Sequence, residues 1–479
     1  MKSFWGVFAA VVTAVLVIPA VGVYAAAEVK AAGEMSADAI MNGTHGYMPA
    51  NYVVPKEPEV RAKLEKFKDL KLALMIHWGV YAQIGSHESW PLVDKEAAWS
   101  RDYVDWAEGE DFKRQYLGLN RSFNPVCFEP EKWASLAARN GFKYVVFTTK
   151  HHDGFCMYDS KYSDFKVTAP ECPFSKNKRA DVAKEVFNAF RARGLWISCY
   201  FSKPDWHHPD YWDTCGLGWY TTRMPSYDVK KSPERWARFR EYTKNQILEL
   251  VRGYGPIDVL WLDGGQVQSK TGLDINIEEI VAEARAVTPD LIAADRTAGG
   301  VCENVITPEQ TIPPEPLAVP WESCITMGTG FSYRFDDVYK PARELVRMLV
   351  DIVAKGGNLA LNVAPGPDGR IPRPAVENLD ELGAWLKANG EAIYATRPAA
   401  PYRRGEWGFT GKGKSVYAIF LKPISNARAT MIPYGGLCSA VTQLATGEKI
   451  PFKVTGDGIV LSLSAGFRGD TYADVFRID

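Results

Sequence analysis

The stretch IDVLWLDGG (257–265) decides the fold. Its apolar run is continuous rather than alternating, as for a strand covered on both faces. It ends in a carboxylate, Asp263, and the two glycines behind it, Gly264 and Gly265, leave room for something to approach that end. An Asp here also suits the N-cap of a following helix, so the stretch alone leaves both readings open.

Working outward, five further runs have the same form: LALMIHW (72–78), YVVFTTK (144–150), LWISCYF (195–201), LIAADR (291–296) and NLALNVAP (358–365). Between them lie stretches with helical spacing of apolar residues: EKWASLAARNGF (131–142), DVAKEVFNAFRARG (181–194), SPERWARFREYTKNQILELVRGY (232–254), NIEEIVAEARAV (276–287) and PARELVRMLVDIVAKGG (341–357). Several of these end in Gly, a common helix stop. Strands alternating with helices predict a parallel α/β domain. Polar residues stand at the C-terminal ends of the runs: His77, Lys150 to Asp153, Tyr200, Asp263, Asp295 with Arg296, and Asn362. A (β/α)8 barrel gathers its site at that edge. An open doubly wound sheet binds at one crevice and needs a Gly-rich first turn. No GxGxxG follows the first run, and the polar ends are spread over all six. The expected fold class is therefore α/β, a (β/α)8-type TIM barrel over residues 56–395.

Near residue 396 the pattern changes to short runs separated by turn residues: SVYAIFL, ARATMIPY, KIPFKVTGDGIVLSLS and DTYADVFRI. The alternation around GDG in 451–464 predicts a hairpin, and residues 396–479 are expected to form a small C-terminal β-sandwich. At the other end, Lys2, an apolar run from Phe4 to Ala20 and the small residues Ala25, Ala26 and Ala27 read as a signal peptide over 1–27, followed by a leader segment over 28–55. The apolar run approaches membrane-spanning length, but the small-residue end and the lack of a basic stop-transfer cluster favour cleavage. Export to the periplasm or extracellular space, rather than the lysosome, is expected, with no membrane attachment after cleavage.

A net charge of -1 argues against nucleic-acid and membrane-surface binding. The eight cysteines (Cys127, Cys156, Cys172, Cys199, Cys215, Cys302, Cys324 and Cys438) fit no zinc spacing, and most read as small buried hydrophobes. Disulfide pairing and oligomeric state are not legible from the chain. The 15 Trp and 22 Tyr suit either stacking on sugar C–H faces or an aromatic core.

In FTTKHHDGFCMYDSKYSDF (147–165), Lys150, His151, His152 and Asp153 crowd one strand end. Neighbouring residues on a strand point to opposite faces, so both histidines can enter one site only where the strand breaks into a loop, which Gly154 permits. HxH or HxxxH spacing with further ligands is missing, so no metal is expected. Histidine donors and acceptors suit recognition of hydroxyl groups, and LMIHWGVY (74–81) adds His77 to the same edge.

Together IHWGVYA (76–82), VVFTTKHHDGFCMYDSKYSDF (145–165), ISCYFSKPDW (197–206), DVLWLDGG (258–265) and PWESC (320–324) resemble the family 29 glycoside hydrolases, the α-L-fucosidases. The resemblance runs over 55–395 and accounts for a C-terminal β-sandwich as well. It implies a retaining exo-α-L-fucosidase that releases terminal fucose from oligosaccharides or glycoconjugates by double displacement, without a cofactor. It also implies residue roles. Asp263 is the nucleophile. His77, His151 and His152 hold sugar hydroxyls, Tyr200 and Trp261 form the pocket wall, and Arg296 lies near the nucleophile. Phe331, in GFSYR, meets the apolar face of the sugar and its C6 methyl. Glu88 and Trp90, in HESW, correspond to the family's GEW element, with one extra residue between them.

Retention also needs a second carboxyl group about 5 Å from the nucleophile, acting as acid and then base. Glu309, in the loop ENVITPEQTIP (303–313), is preferred because a loop after the DR strand can reach over the sugar. Glu322, in PWESC, is the alternative, and Glu303 a third candidate. Three other readings stay open: a catalytically inactive carbohydrate-binding barrel, a metal-dependent barrel hydrolase, and a related specificity for α-galactosides or for particular α-1,3/1,4-fucosides.

Overall fold

In the computed structural model every continuous apolar run becomes a strand of one parallel sheet. The structure describes residues 51–93, 95–102, 104, 106–213, 222–424 and 428–479. The expected signal peptide, the leader up to residue 50 and Cys215 lie outside the described residues. The strands are β1 (Leu72–Ile76), β2 (Tyr144–Lys150), β3 (Trp196–Ser202), β4 (Val259–Asp263), β5 (Ile292–Asp295), β6 (Glu322–Thr326) and β7 (Asn358–Asn362). They lie in the order β5-β4-β3-β2-β1-β7-β6, each pair parallel.

The segment 303–310 joins the two edge strands. Ala294 on β5 bridges to Glu303, while Ile306 and Glu309 bridge to Trp321 and Cys324 beside and on β6. The Ile306 N–H donates to the Pro320 carbonyl, and the Cys324 N–H to the Pro308 carbonyl. Pro308 has no N–H to give a regular ladder, so this stretch takes the eighth place of the (β/α)8-like barrel as an irregular strand.

Each strand is covered on both faces, which is why the runs are apolar throughout. Ala73, Met75, Val146, Tyr200, Val259, Trp261, Ala294, Cys324 and Ala360 fill the inside. The floor is sealed by Val60, Leu64 and Phe67 from helix α1 (Pro58–Leu70). The alternate residues, among them Leu72, Leu74, Ile76, Val145, Phe147, Ile197, Cys199, Leu260 and Leu262, pack outward in a second apolar layer. That layer is completed by α2 (Gly109–Leu117), α3 (Pro130–Arg139), α4 (Val182–Arg191), α5 (Pro233–Gly253), α6 (Ile277–Val287), α7 (Ala342–Ala354) and α8 (Arg373–Asn389). In α4 the Asp181 side chain caps the Lys184 N–H, and Val182, Ala183, Val186, Phe187 and Phe190 form the buried stripe.

Beyond the barrel lie two antiparallel sheets. One has five strands in the order β12-β15-β10-β9-β8 and the other three in the order β11-β14-β13. Their members are β8 (Arg397–Arg404), β9 (Trp407–Lys412), β10 (Ser415–Phe420), β11 (Ala429–Ile432), β12 (Val441–Gln443), β13 (Phe452–Thr455), β14 (Gly458–Ser462) and β15 (Asp474–Ile478). Phe409, Ala418, Ile432, Val441, Ile459, Leu461 and Phe476 pack between them, a β-sandwich core. The hairpin around GDG is β13–β14, with Thr455 opposite Gly458. The sandwich sits on α7 at Gly408, where a Cβ would come within 2.8 Å of Val350.

The seven described cysteines are free thiols, five of them buried. Among the described residues no helix is long and apolar enough to cross a membrane.

Candidate active site

Asp263 is the last residue of β4 and stands partly exposed at the C-terminal edge of the barrel. The chain must turn sharply away behind it. Gly264 has φ +90°, and a Cβ there would come within 2.1 Å of Pro204, so only glycine fits. The Tyr200 hydroxyl donates to Asp263 Oδ2 at 2.5 Å, and Arg296 Nη1 donates to Oδ1 at 2.7 Å. Burial by itself pushes this carboxyl up, but the Arg296 charge, with the Tyr200 hydroxyl and the Gly264 N–H, outweighs it. The group is held well below the usual carboxylate range. Arg296 follows the last residue of β5, and its guanidinium lies 4.7 Å over the Trp261 ring. Tyr200 and Trp261 stack with centroids 5.1 Å apart, forming the wall behind Asp263.

The three histidines each have Nδ1 engaged by the protein. His77 Nδ1 is 2.8 Å from Asn362 Oδ1, His151 Nδ1 is 2.5 Å from Ser89 Oγ, and His152 Nδ1 is 2.6 Å from Ser202 Oγ. The Asn362 amide N–H₂ donates to the Phe331 carbonyl at 2.7 Å, so its oxygen faces the ring and His77 carries its proton on Nδ1. Burial lowers His77 and His152 to about 4 and His151 well below its ordinary value. At neutral pH all three are uncharged, and His77 Nε2 is left as an acceptor. Both His151 and His152 reach the pocket because β2 shifts register between Thr148 and Lys150 and then stops. Gly154, at φ +80°, turns the chain under Asp205.

The carboxyl candidates separate by height in the barrel. Glu309 ends the irregular eighth strand, lines the pocket and accepts from Arg296 Nη2 at 2.7 Å. One guanidinium therefore holds Asp263 and Glu309 together. Glu322 is the first residue of β6, level with Asn358 at the start of β7. It is buried at the opposite end of the barrel, beneath Trp261, whose indole N–H donates to it at 3.1 Å, and it also accepts from the Tyr144 hydroxyl. Burial raises it to about 7. Glu303 is likewise internal, accepting from the Thr297 and Gly299 N–H groups. Neither lies in the pocket lining that contains Asp263 and Glu309.

Glu88 does line that pocket. Its backbone takes φ +39°, a conformation rare for a residue with a side chain and often found at functional sites. Burial raises its carboxyl to about 8, with the nearby Glu309 charge adding to the shift and the Ser332 and Phe331 N–H groups opposing it. Its Oε1 has no hydrogen-bond partner among the described residues. At neutral pH Glu88 is thus a neutral acid able to donate. Trp90 meets His152 edge-on at 5.2 Å, and Phe331 leans on His77 at 4.9 Å.

The pocket therefore brings together His77, Glu88, Trp90, His151, His152, Tyr200, Trp261, Asp263, Arg296, Glu309 and Phe331. It also recruits Met75, Arg223, Gln266 and Cys324, which the sequence reading missed. Arg223 lies 5.1 Å over the Trp90 ring and pairs with Glu96. It comes from a loop without periodicity, so no local pattern signals it. His151, His152 and Asp263 each offer a ligand atom within 4.8 Å of the others. Arg296 already holds Asp263 there, and its charge opposes a cation.

A family model described as Alpha-L-fucosidase matches residues 40–391. The plasma alpha-L-fucosidase of Rattus norvegicus is 32% identical over 421 residues, 83% of this chain and 86% of that protein. Among solved structures, alpha-L-fucosidase isoenzyme 1 from Paenibacillus thiaminolyticus matches with a TM-score of 0.72 at 30% identity, covering 88% of this chain and 99% of that one. An alpha-L-fucosidase from Bacteroides thetaiotaomicron, solved as a trapped covalent intermediate with 2-fluoro-fucosyl fluoride, matches with a TM-score of 0.73 at 25% identity over 90% and 98% of the two chains.

Proposed function

The chain belongs to the α-L-fucosidase family, and from that premise we propose that it releases terminal α-L-fucose from glycans by double displacement, with Asp263 as nucleophile and Glu309 as acid/base. The observation that carries the residue assignment is Arg296, whose two terminal nitrogens each bond one of the two carboxylates at 2.7 Å. Two carboxyl groups shared by one guanidinium fit the close spacing, about 5 Å, of retaining glycosidases.

Asp263 stays ionised next to Arg296 and attacks the anomeric carbon, forming a fucosyl ester as the glycosidic bond breaks. Glu309 must carry a proton for that step, so its contact with Arg296 yields as the glycosidic oxygen comes alongside. Having protonated the leaving oxygen, Glu309 then takes a proton from water, which hydrolyses the ester and restores both groups. The histidines, held through Nδ1, present their other nitrogens to sugar hydroxyls, and Phe331 offers an apolar surface to the C6 methyl. The protonated carboxyl of Glu88 donates to a further hydroxyl.

Glu309→Ala is expected to lower kcat/KM on a fucosyl disaccharide by about 10²–10⁴. It should do far less harm to the first step with an activated aryl fucoside, and azide should restore turnover, giving fucosyl azide of retained configuration. Glu322→Gln should stay within a few-fold of wild type. Full activity in Glu309→Ala, with no azide product, would refute the assignment.

We also read residues 1–27 as an export signal, 28–55 as a leader, 56–395 as the catalytic domain and 396–479 as the sandwich. N-terminal sequencing of protein recovered from its native host tests the first of these, and a mature chain beginning at Met1 would reject it.

A further inference from the structure

Two loops meet at the mouth of the pocket. The loop after β1 runs through Gly85, Ser86, His87 and Glu88, and the loop after β6 runs through Phe331 to Phe335. The Ser332 hydroxyl donates to the Ser86 carbonyl at 2.5 Å, and Arg334 Nη1 lies 3.2 Å from His87 Nε2. The Phe335 ring sits 2.7 Å from where a Cβ on Gly85 would be. The second loop is braced from behind by Asp337, which accepts from the Thr329 N–H at 2.7 Å. This part of the rim is built, with both loops locked together beside Glu88 and Phe331.

Against it stands Trp99. Its ring meets His87 edge-on at 5.3 Å and lies 6.1 Å from Trp90, the pocket wall, yet the residue is 53% exposed. About half of its surface therefore stays open to solvent beside the pocket, where a ligand can cover it. Its turn is held in place all the same: Arg101 donates to the Pro91 and Ala107 carbonyls at 2.9 and 2.7 Å, tying the Trp99 turn to the Trp90 turn.

We infer that Trp99, with His87 beside it, forms an aglycone subsite that stacks the C–H face of the sugar bearing the fucose. The subsite rests on the fucosidase reading above and adds what that reading lacks, a contact for the leaving group. A pyranose presents a continuous patch of C–H groups on one face, and an exposed indole is the side chain that best covers such a patch. Asp263 and Glu309 take one sugar between them. The next unit has to lie along the rim, where the Trp90–Trp99 pair continues the aromatic wall outward. The occupant is a pyranose joined to fucose through an oxygen that Glu309 protonates.

The test compares two substrates that share the fucosyl group and differ in the leaving group. Fucosyl-α-1,2-galactose carries a sugar aglycone, whereas α-L-fucosyl fluoride carries an atom too small to reach Trp99. In Trp99→Ala the ratio of kcat/KM for the disaccharide to that for the fluoride should fall roughly tenfold, mostly through KM. Trp99→Phe, which keeps an aromatic face, should recover most of it. An unchanged ratio in Trp99→Ala overturns the subsite, whether or not both rates fall together. Failure of the wild type to hydrolyse either substrate overturns instead the fucosidase reading on which the subsite rests.

Discussion

Arg296 and Glu88 show how single side chains set the chemistry of this pocket. Arg296 keeps Asp263 ionised, while burial and the Glu309 charge keep Glu88 protonated, so two carboxyl groups in one pocket take opposite states at the same pH. If Glu88 acts as a neutral donor, an amide can stand in for it. Glu88→Gln should hold kcat/KM within a few-fold of wild type, whereas Glu88→Ala, which removes the donor, should lose roughly 10²-fold. Steady-state kinetics on one fucoside decides this, and equal losses in both variants would show that Glu88 works as a carboxylate. At this scale much was legible in the chain. His77, His151, His152, Tyr200 and Asp263 end apolar runs, so their place at one edge follows from the alternation of strands and helices. Nothing in PWESC itself says at which height of the barrel Glu322 lies. Only the register of β6 places that Glu at the floor. Arg223 and Gln266 reach the pocket from loops, where side-chain direction follows no period.

At the scale of the element, the turn after β2 has little tolerance for change. Gly154 has φ +80°, and a Cβ there would meet Asp205 Oδ1 at 2.2 Å. Asp205 pairs with the buried Lys150 at 3.1 Å and accepts from the Tyr242 hydroxyl at 2.8 Å, so it has little freedom to withdraw. Nearby, the Trp206 N–H donates to the His152 carbonyl at 2.7 Å. Gly154→Ala should therefore cost about 2–4 kcal/mol of stability and displace His152, lowering kcat as well. Urea denaturation with parallel kinetics checks both, and a stable, fully active variant would contradict the strained turn. The elements that the sequence concealed have identifiable reasons. ESCIT in β6 is too polar to stand out as a buried strand, because its inward residues Glu322 and Cys324 face polar partners and Arg296 rather than a dry core. The eighth strand is interrupted by Pro308. Helix α1 buries Val60, Leu64 and Phe67 under the barrel, with Leu70 packed against them, in a stretch otherwise dominated by charge.

Over the whole molecule, the succession of apolar runs was enough to expect a barrel with a sandwich behind it, since continuous runs require cover on both faces and the C-terminal runs alternate. What no local pattern conveys is how the barrel closes and which carboxyl groups end up sealed inside. That sealing makes stability depend on pH. Burial lifts Glu322 to about 7 from an ordinary 4.5, so between those values the folded chain keeps a proton that the unfolded chain has lost. Its contribution is fully present below about pH 4.5 and is lost as pH rises through about 7. Glu322→Gln has no such proton to lose, so its melting temperature relative to wild type should climb between pH 5 and pH 8, and a constant difference would contradict the buried-acid assignment. The central claim concerns Asp263, and it is tested most directly by covalent trapping. Glu309→Gln protein treated with 2-fluoro-fucosyl fluoride should gain the mass of one fluorofucosyl group on the intact chain, and fragmentation of the labelled peptide should place it on Asp263. A label on any other residue, or no label while wild-type protein still releases fucose, would contradict the account.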